Sequence, residues 1–255
     1  MKSLLEERLH QLNWSHTASQ LDDLVENAST THSVSYFDFL HTVVSEEWEH
    51  RECAELNRRI QRAKLPYTKT IYDFDLAFQP SLNEQRINET LTCRYIANGE
   101  NQLLLGPPGV GKTHLAIAFA LEALTQDYSV LFLTAADLVA ECHKAEAKGT
   151  VSRLIKKWTR PDLIVLDEVG YFPFDEFSAN IFFQVISKRY EHGAMILTSN
   201  KSFIEWGKVC GDDVLATAIL DRLLHHSVTF NIKGDSYRLK EKKKAGIYPA
   251  TPPVN

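Results

Sequence analysis

The sequence predicts an α/β fold: a parallel five-stranded sheet with helices on both faces, preceded by a small helical domain. Three observations carry that expectation. From about residue 70, short apolar runs alternate with helical stretches, which argues for a parallel sheet covered on both sides. A glycine-rich loop leaves the first apolar run and enters a helix, at the carboxyl end of the strand, where open sheets of this kind hold ligands. Residues 1–65, by contrast, read as helical throughout.

In chain order, Leu5, Leu9 and Leu12 share one helical face, and Leu21, Leu24 and Ala28 share another. Ser35 followed by Asp38 resembles a capping box. It opens a helix with Phe37, Leu40, Val44 and Trp48 at helical spacing, an aromatic stripe that reads as core. That helix continues through Arg58-Arg59-Ile60 and stops before Pro66. The run from Leu65 to Asn83 mixes proline with short apolar pieces and reads as a linker. Buried strands are expected at Gln102–Leu105, Ser129–Leu133, Leu163–Asp167, Ala194–Ser199 and Val228–Ile232. Helices are expected at 113–126, 135–148, 176–191 and 213–226. The domain boundaries so placed are 1–65 for the helical domain, 66–246 for the α/β core and 247–255 for a flexible tail.

The loop itself, "LLLGPPGVGKTHLAIA", fits G-x-x-x-x-G-K-[ST]. Its glycines let the backbone curl so that several N–H groups point inward. The helix start adds partial positive charge at the same place. The nucleotide-binding run is therefore Gly106, Pro107, Pro108, Gly109, Val110, Gly111, Lys112, Thr113 and His114. Lys112 can reach β- and γ-phosphates, and the Thr113 hydroxyl can bind Mg²⁺. "LIVLDEVG" is an apolar strand ending in two acids. Asp167 suits the Mg²⁺ shell, and Glu168 suits orienting and deprotonating a water. The pair favours hydrolysis over group transfer to a small substrate. Asn200, ending "MILTSN", either reaches the γ-phosphate and its water or serves as a turn residue. Arg222, on a helix with apolar Ile219, Leu220, Leu223 and Leu224, either pairs with an acid on its own surface or acts as an arginine finger. Arg238 is a second candidate phosphate contact. The residues alone do not choose between these arginines.

Composition narrows the class. The 255 residues are 44% hydrophobic and 24% charged, the balance of a globular protein. No apolar run approaches the roughly 20 residues of a membrane span, and the first residues carry Glu6 and Glu7 where a signal peptide would be apolar. The four cysteines lie far apart and read as reduced thiols, so a cytoplasmic setting is expected. His225 and His226 are adjacent, but no cysteine or histidine lies at ligand spacing from them, so no metal constellation is expected. Net charge is −5, unevenly spread. Residues 1–50 carry −7, while residues 51–69 and 231–255 carry +4 each. Either basic block is a solvated face or a phosphate-contacting surface. The candidate DNA contacts are Arg58, Arg59, Arg62 and Lys64, with Lys242, Lys243 and Lys244. With no base-reading motif present, duplex binding of low sequence preference is expected.

The runs "FQPSLNEQRI", "LLLGPPGVGKTHLA", "DEVGYFPFD", "NIFFQVISKRYE", "TSNKSFIEWG", "LDRLLHHS" and "GDSYRLKEKKKAG" together resemble the IstB-type transposition helper ATPases. These belong to the AAA+ superfamily and are close to bacterial replicative helicase loaders. The likeness covers about residues 66–246. It implies an AAA+ P-loop NTPase core and an ATP-dependent, DNA-binding protein of an insertion sequence. Such a protein uses ATP and Mg²⁺, assembles as an oligomer or helical filament on duplex DNA, and assists a partner transposase. It assigns Lys112 and Thr113 to the phosphate loop, Asp167 and Glu168 to Walker B, and Asn200 to sensor 1. It makes Arg222 the finger in trans and Arg238 sensor 2. Only about 25 residues follow the last expected strand, too few for the superfamily's helical lid domain, where sensor 2 normally sits. A helicase loader, a nucleotide-gated scaffold with little turnover and a small-molecule kinase are the competing readings. The acidic pair and the basic blocks count against the kinase.

Overall fold

The computed structural model describes residues 2–30, 35–237 and 239–240. The described residues form two compact units, divided between Arg58 and Arg59. In the first unit, α1 (Lys2–Gln11), α2 (Ser15–Ser19) and α3 (Leu21–Thr30) precede the start of α4 (Tyr36–Ala63). Ser35 caps α4: its hydroxyl accepts the Asp38 N–H at 3.1 Å. Leu24 is buried and Leu21 and Ala28 half-buried, on one face as their spacing predicts.

The aromatic stripe of α4 is not core. Phe37 is 75% and Trp48 64% exposed, and Leu40 and Val44 are exposed beside them. The covered face holds Phe39, Val43 and Glu47, roughly 100° round the helix. Glu47 is buried, and its carboxylate accepts the Thr17 N–H and hydroxyl, both at 2.9 Å. Arg51 donates to its other oxygen at 2.9 Å. Burial pushes the Glu47 carboxyl up, but these donors together outweigh it and hold the group below its ordinary value. A buried ion with three hydrogen-bonding contacts thus occupies the place that apolar periodicity gave to aromatics.

In the second unit the chain passes through two short 3₁₀ turns, Ile71–Asp73 and Leu76–Phe78, before α5 (Glu84–Leu91) and α6 (Arg94–Ala97). The stretch expected to be a linker is therefore folded structure. Then follow β1 (Asn101–Leu105), α7 (Lys112–Thr125), β2 (Val130–Thr134), α8 (Ala135–Ala147), α9 (Val151–Thr159), β3 (Leu163–Val169), α10 (Glu176–Arg189), β4 (Ala194–Ser199), α11 (Trp206–Cys210), α12 (Asp213–His225) and β5 (Ser227–Asn231). The strands order as β2-β3-β4-β1-β5, all parallel. The five expected strands are all present, and α9 and α11 are additional. Their tryptophans, Trp158 and Trp206, are fully buried, and each such side chain contributes on the order of 1.5–3 kcal/mol or more of burial.

Alternation along the strands splits the core in two. Leu103, Ile164, Leu166, Met195 and Leu197 pack with α8 to α12. The intervening Leu104, Val165 and Ile196 are buried away from that cluster. On their side α7 packs across the strands, with Phe119 against Phe230 at 5.9 Å. Beneath the sheet, buried Arg189 donates to the carbonyls of Pro161, Asp162 and Ala194 at 2.7–2.8 Å. Desolvation lowers its pKa to about 10, so it stays charged at neutral pH. The four cysteines are free thiols; burial pushes Cys93 up to about 12 and Cys142 and Cys210 up to about 11, which leaves those three unreactive.

Candidate active site

The loop between β1 and α7 turns on glycines with left-handed backbones: φ is +83° at Gly109 and +98° at Gly111. A Cβ at Gly111 would lie 2.5 Å from the Phe74 ring, and one at Gly109 2.1 Å from the Ser236 hydroxyl oxygen. Close approach and backbone conformation both require glycine there. Lys112 is buried, and its ammonium donates to the Gly106 and Pro107 carbonyls at 2.7 and 2.8 Å.

β3 delivers the acids. Asp167 is buried, and the Thr113 hydroxyl donates to its two oxygens at 2.9 and 3.1 Å. The strand then leaves its register: Leu166 pairs with Leu197, but Val169 pairs with Ser199, so Asp167 and Glu168 span a bulge. Glu168 takes φ +63°, a strained choice for a non-glycine residue. Its side chain is exposed and lines the cleft. Its N–H, turned out of the ladder, donates to the Thr198 hydroxyl at 2.9 Å. The same buried hydroxyl donates to Asp167. Thr198 therefore holds both acids. Asn200 reaches the cleft too, and its buried Oδ1 has no protein partner.

The stretch before α5, not expected at the site, and the chain after β5 that carries the candidate Arg238 complete the cleft. Tyr67, Lys69, Phe74 and Phe78 line it from the stretch before α5. His114 packs edge-on to Phe74 at 5.2 Å and donates to the Thr70 carbonyl at 2.9 Å, so it holds this strap. Tyr237 lines the cleft from the chain after β5, and its N–H donates to the Gly109 carbonyl at 3.0 Å. The segments clasp each other: Phe78 meets Tyr237 edge-on at 5.4 Å, and Lys240 lies 4.0 Å over Phe78 and 3.2 Å from Asp75. The available sequence signal was the aspartate-aromatic alternation of "YDFDLAF", which the reading as a linker passed over.

The remaining candidates lie apart. Arg222 does not line the cleft; its guanidinium sits 4.8 Å over the Phe183 ring and donates to the Ala218 carbonyl at 2.9 Å. Arg58 pairs with Glu55 at 2.9 Å, Arg59 with Asp127, and Lys64 with Glu141 at 3.9 Å. Arg62 is exposed near the end of α4. Arg238, Lys242, Lys243, Lys244 and the expected tail 247–255 lie outside the described residues.

The cleft fits a nucleoside triphosphate with Mg²⁺. The glycines lining the cleft and Lys112 suit phosphates, Thr113 and Asp167 are oxygen donors of the kind Mg²⁺ takes, and the unpartnered Asn200 Oδ1 suits a water or a ligand donor. No described helix is long and apolar enough to cross a membrane.

Comparison with known proteins agrees. The profile of the family described as "IstB-like ATP binding protein" matches residues 7–245. The chain is 47% identical to the ATP-binding protein of insertion sequence IS5376 from Geobacillus stearothermophilus, over 95% of this chain and 96% of that protein. It is 43% identical to the corresponding protein of IS21 from Pseudomonas aeruginosa, over 95% and 91%. Among solved structures it resembles a DNA replication initiation factor (TM-score 0.55, 25% identity), over 71% of this chain and only 55% of that one. It also shares its fold with DnaI (TM-score 0.54, 21% identity, 65% and 91% covered).

Proposed function

Since the chain belongs to the family of IstB-like ATP-binding proteins, we propose that it is an ATPase that binds duplex DNA, assembles on it and assists a transposase. The observation that carries the hydrolytic part is the pair of acids: Asp167 buried on the Thr113 hydroxyl, Glu168 exposed to the cleft and fixed by Thr198. In this reading Lys112 swings from its loop carbonyls to the β- and γ-phosphates. Thr113 and Asp167 would hold Mg²⁺, which would supply charge neutralisation at the phosphates. Asn200 orients a water, and Glu168 takes its proton as the water attacks the γ-phosphorus and ADP leaves.

The curated relatives belong to insertion sequences, whereas DnaI shares the fold alone, so a helper role is preferred to helicase loading. Association with duplex DNA rests on the basic stretch 51–69, with Arg58, Arg62 and Lys64 as contacts. Arg59 is committed to Asp127. The test is ATP turnover with and without duplex DNA in wild type, Lys112→Ala and Glu168→Gln. Turnover should rise with DNA. Lys112→Ala should lose ATP binding. Glu168→Gln should bind ATP and turn over about 10²–10⁴ times more slowly. Wild-type turnover in Glu168→Gln would refute the assignment.

A further inference from the structure

The parallel strands put the nucleotide cleft at their carboxyl ends. At the opposite end of the sheet, Glu191 follows α10 and the pair His225-His226 closes α12. One nitrogen from each imidazole and one Glu191 oxygen lie within 4.8 Å of one another. Among the described residues this is the only such trio of potential metal donors. Nothing in the nucleotide reaction uses it.

The backbone around it is fixed. The His226 carbonyl accepts the Asn101 N–H at 2.8 Å. Buried Asn101 also donates to the Leu223 carbonyl at 3.1 Å and accepts the Met195 N–H at 3.0 Å, which locks the end of α12 to β1 and β4. Glu191 sits in a left-handed turn at φ +62°, close against Gly99, where an added Cβ would come 3.0 Å from the Glu191 carbonyl carbon. Tyr190 is hydrogen-bonded through its hydroxyl to His225 Nδ1 at 2.7 Å, which orients that ring in the way outer partners orient metal-bound imidazoles. The two imidazoles meet edge to face at 4.2 Å, and His226 Nε2 lies 3.5 Å from Glu191. The carboxyl ends of two helices, α10 and α12, also meet here, and their partial negative charge favours a cation.

We propose that Glu191, His225 and His226 form a site for a divalent transition-metal cation of the zinc class. Two imidazoles and one carboxylate are a three-ligand zinc set, with the fourth position open to water. Nitrogen donors exclude Mg²⁺ as the preferred ion, since Mg²⁺ takes oxygen ligands. The bound ion would tie the end of α10 to the end of α12, the helix that carries Arg222. A ring pair with a simple ion pair is the alternative.

The experiment is zinc uptake by the full chain under reducing conditions in saturating Mg²⁺, followed by titration calorimetry and metal analysis after dialysis. Wild type, His225→Ala, His226→Ala and Glu191→Gln are compared, with melting of each protein without zinc as the check on folding. The expected result is that wild type holds one more zinc ion per chain than either histidine variant. Glu191→Gln should bind that ion more weakly, and zinc should raise the melting temperature most in wild type, less in Glu191→Gln and not in the histidine variants. His226→Gln supplies a second removal if His226→Ala does not fold. In the wild type, Co²⁺ should broaden the ring resonances of His225 and His226. Equal zinc uptake in wild type and folded variants, or no zinc retained by wild type, would overturn the proposal, as would Co²⁺ broadening confined to other histidines.

Discussion

Thr198 shows how one hydroxyl can govern a site. It lies on the strand beside the acids, accepts the Glu168 N–H and donates to Asp167. Without it the left-handed Glu168 loses the acceptor for its displaced N–H. Thr198→Val should therefore lower turnover by about 10–100-fold, the usual cost of removing an outer partner, while ATP affinity stays near wild type. Thr198→Ser keeps the hydroxyl and should restore most of the rate. A fall in ATP affinity matching the fall in turnover, or failure of serine to rescue, would reduce Thr198 to packing. Glu47 makes a separate prediction. Its folded pKa is depressed, so its stabilisation is complete above the ordinary glutamate range and is lost as pH falls through the lowered value. Glu47→Gln should melt below wild type at neutral pH, and the gap should close under acid. A gap independent of pH would assign the loss to geometry instead of charge.

At the scale of elements, α4 separates amphipathicity from burial. Its apolar stripe is solvent-facing in the described chain, and its covered face carries a carboxylate. Replacing Phe37 and Trp48 together with serine should accordingly change stability by only about 0.5 kcal/mol per site, the range of exposed positions, as read by denaturant unfolding. A loss of several kcal/mol would mean the stripe is covered in solution. The straps around the cleft teach the converse. The stretch 65–83 is rich in proline and short in apolar runs, yet Phe74 sits against Gly111 and Phe78 against Tyr237. Each piece is too short to show a period, and the partners lie far away in sequence.

Arg222 is held over Phe183 and does not line this chain's own cleft. If it serves a neighbour's ATP, the contact is head-to-tail and builds a ring or an open filament. Fingers of this kind are worth about 10³–10⁵ in rate in GTPases. Arg222→Ala should then bind ATP and hydrolyse it slowly. Mixed on DNA with Lys112→Ala, it should regain activity, because the second variant lends its finger to the first one's intact loop. Co-assembly without any regain would return Arg222 to a surface role. Arg58→Ala with Arg62→Ala should weaken binding to all duplexes alike and flatten its salt dependence. Arg59 is best left intact in that test, because it anchors Asp127.

The sequence by itself determined the five strands and the glycine-rich loop, and it pointed to Lys112, Thr113, Asp167 and Glu168, which the fold brings together at one cleft. Those signals are local: an apolar run, a glycine spacing, two acids closing a strand. Periodicity could also place α4, but not which side of it meets protein, because amphipathicity defines a face and says nothing of what faces it. Only the tertiary structure decided that Glu47 is buried, that the expected linker lines the cleft, and that Thr198 joins the two acids. Glu191 lies more than thirty residues before His225 in the chain and close beside it in space. Such pairings depend on strand order and on the crossovers that return each helix to the sheet. They arise between residues whose separation along the chain carries no repeating pattern to be read.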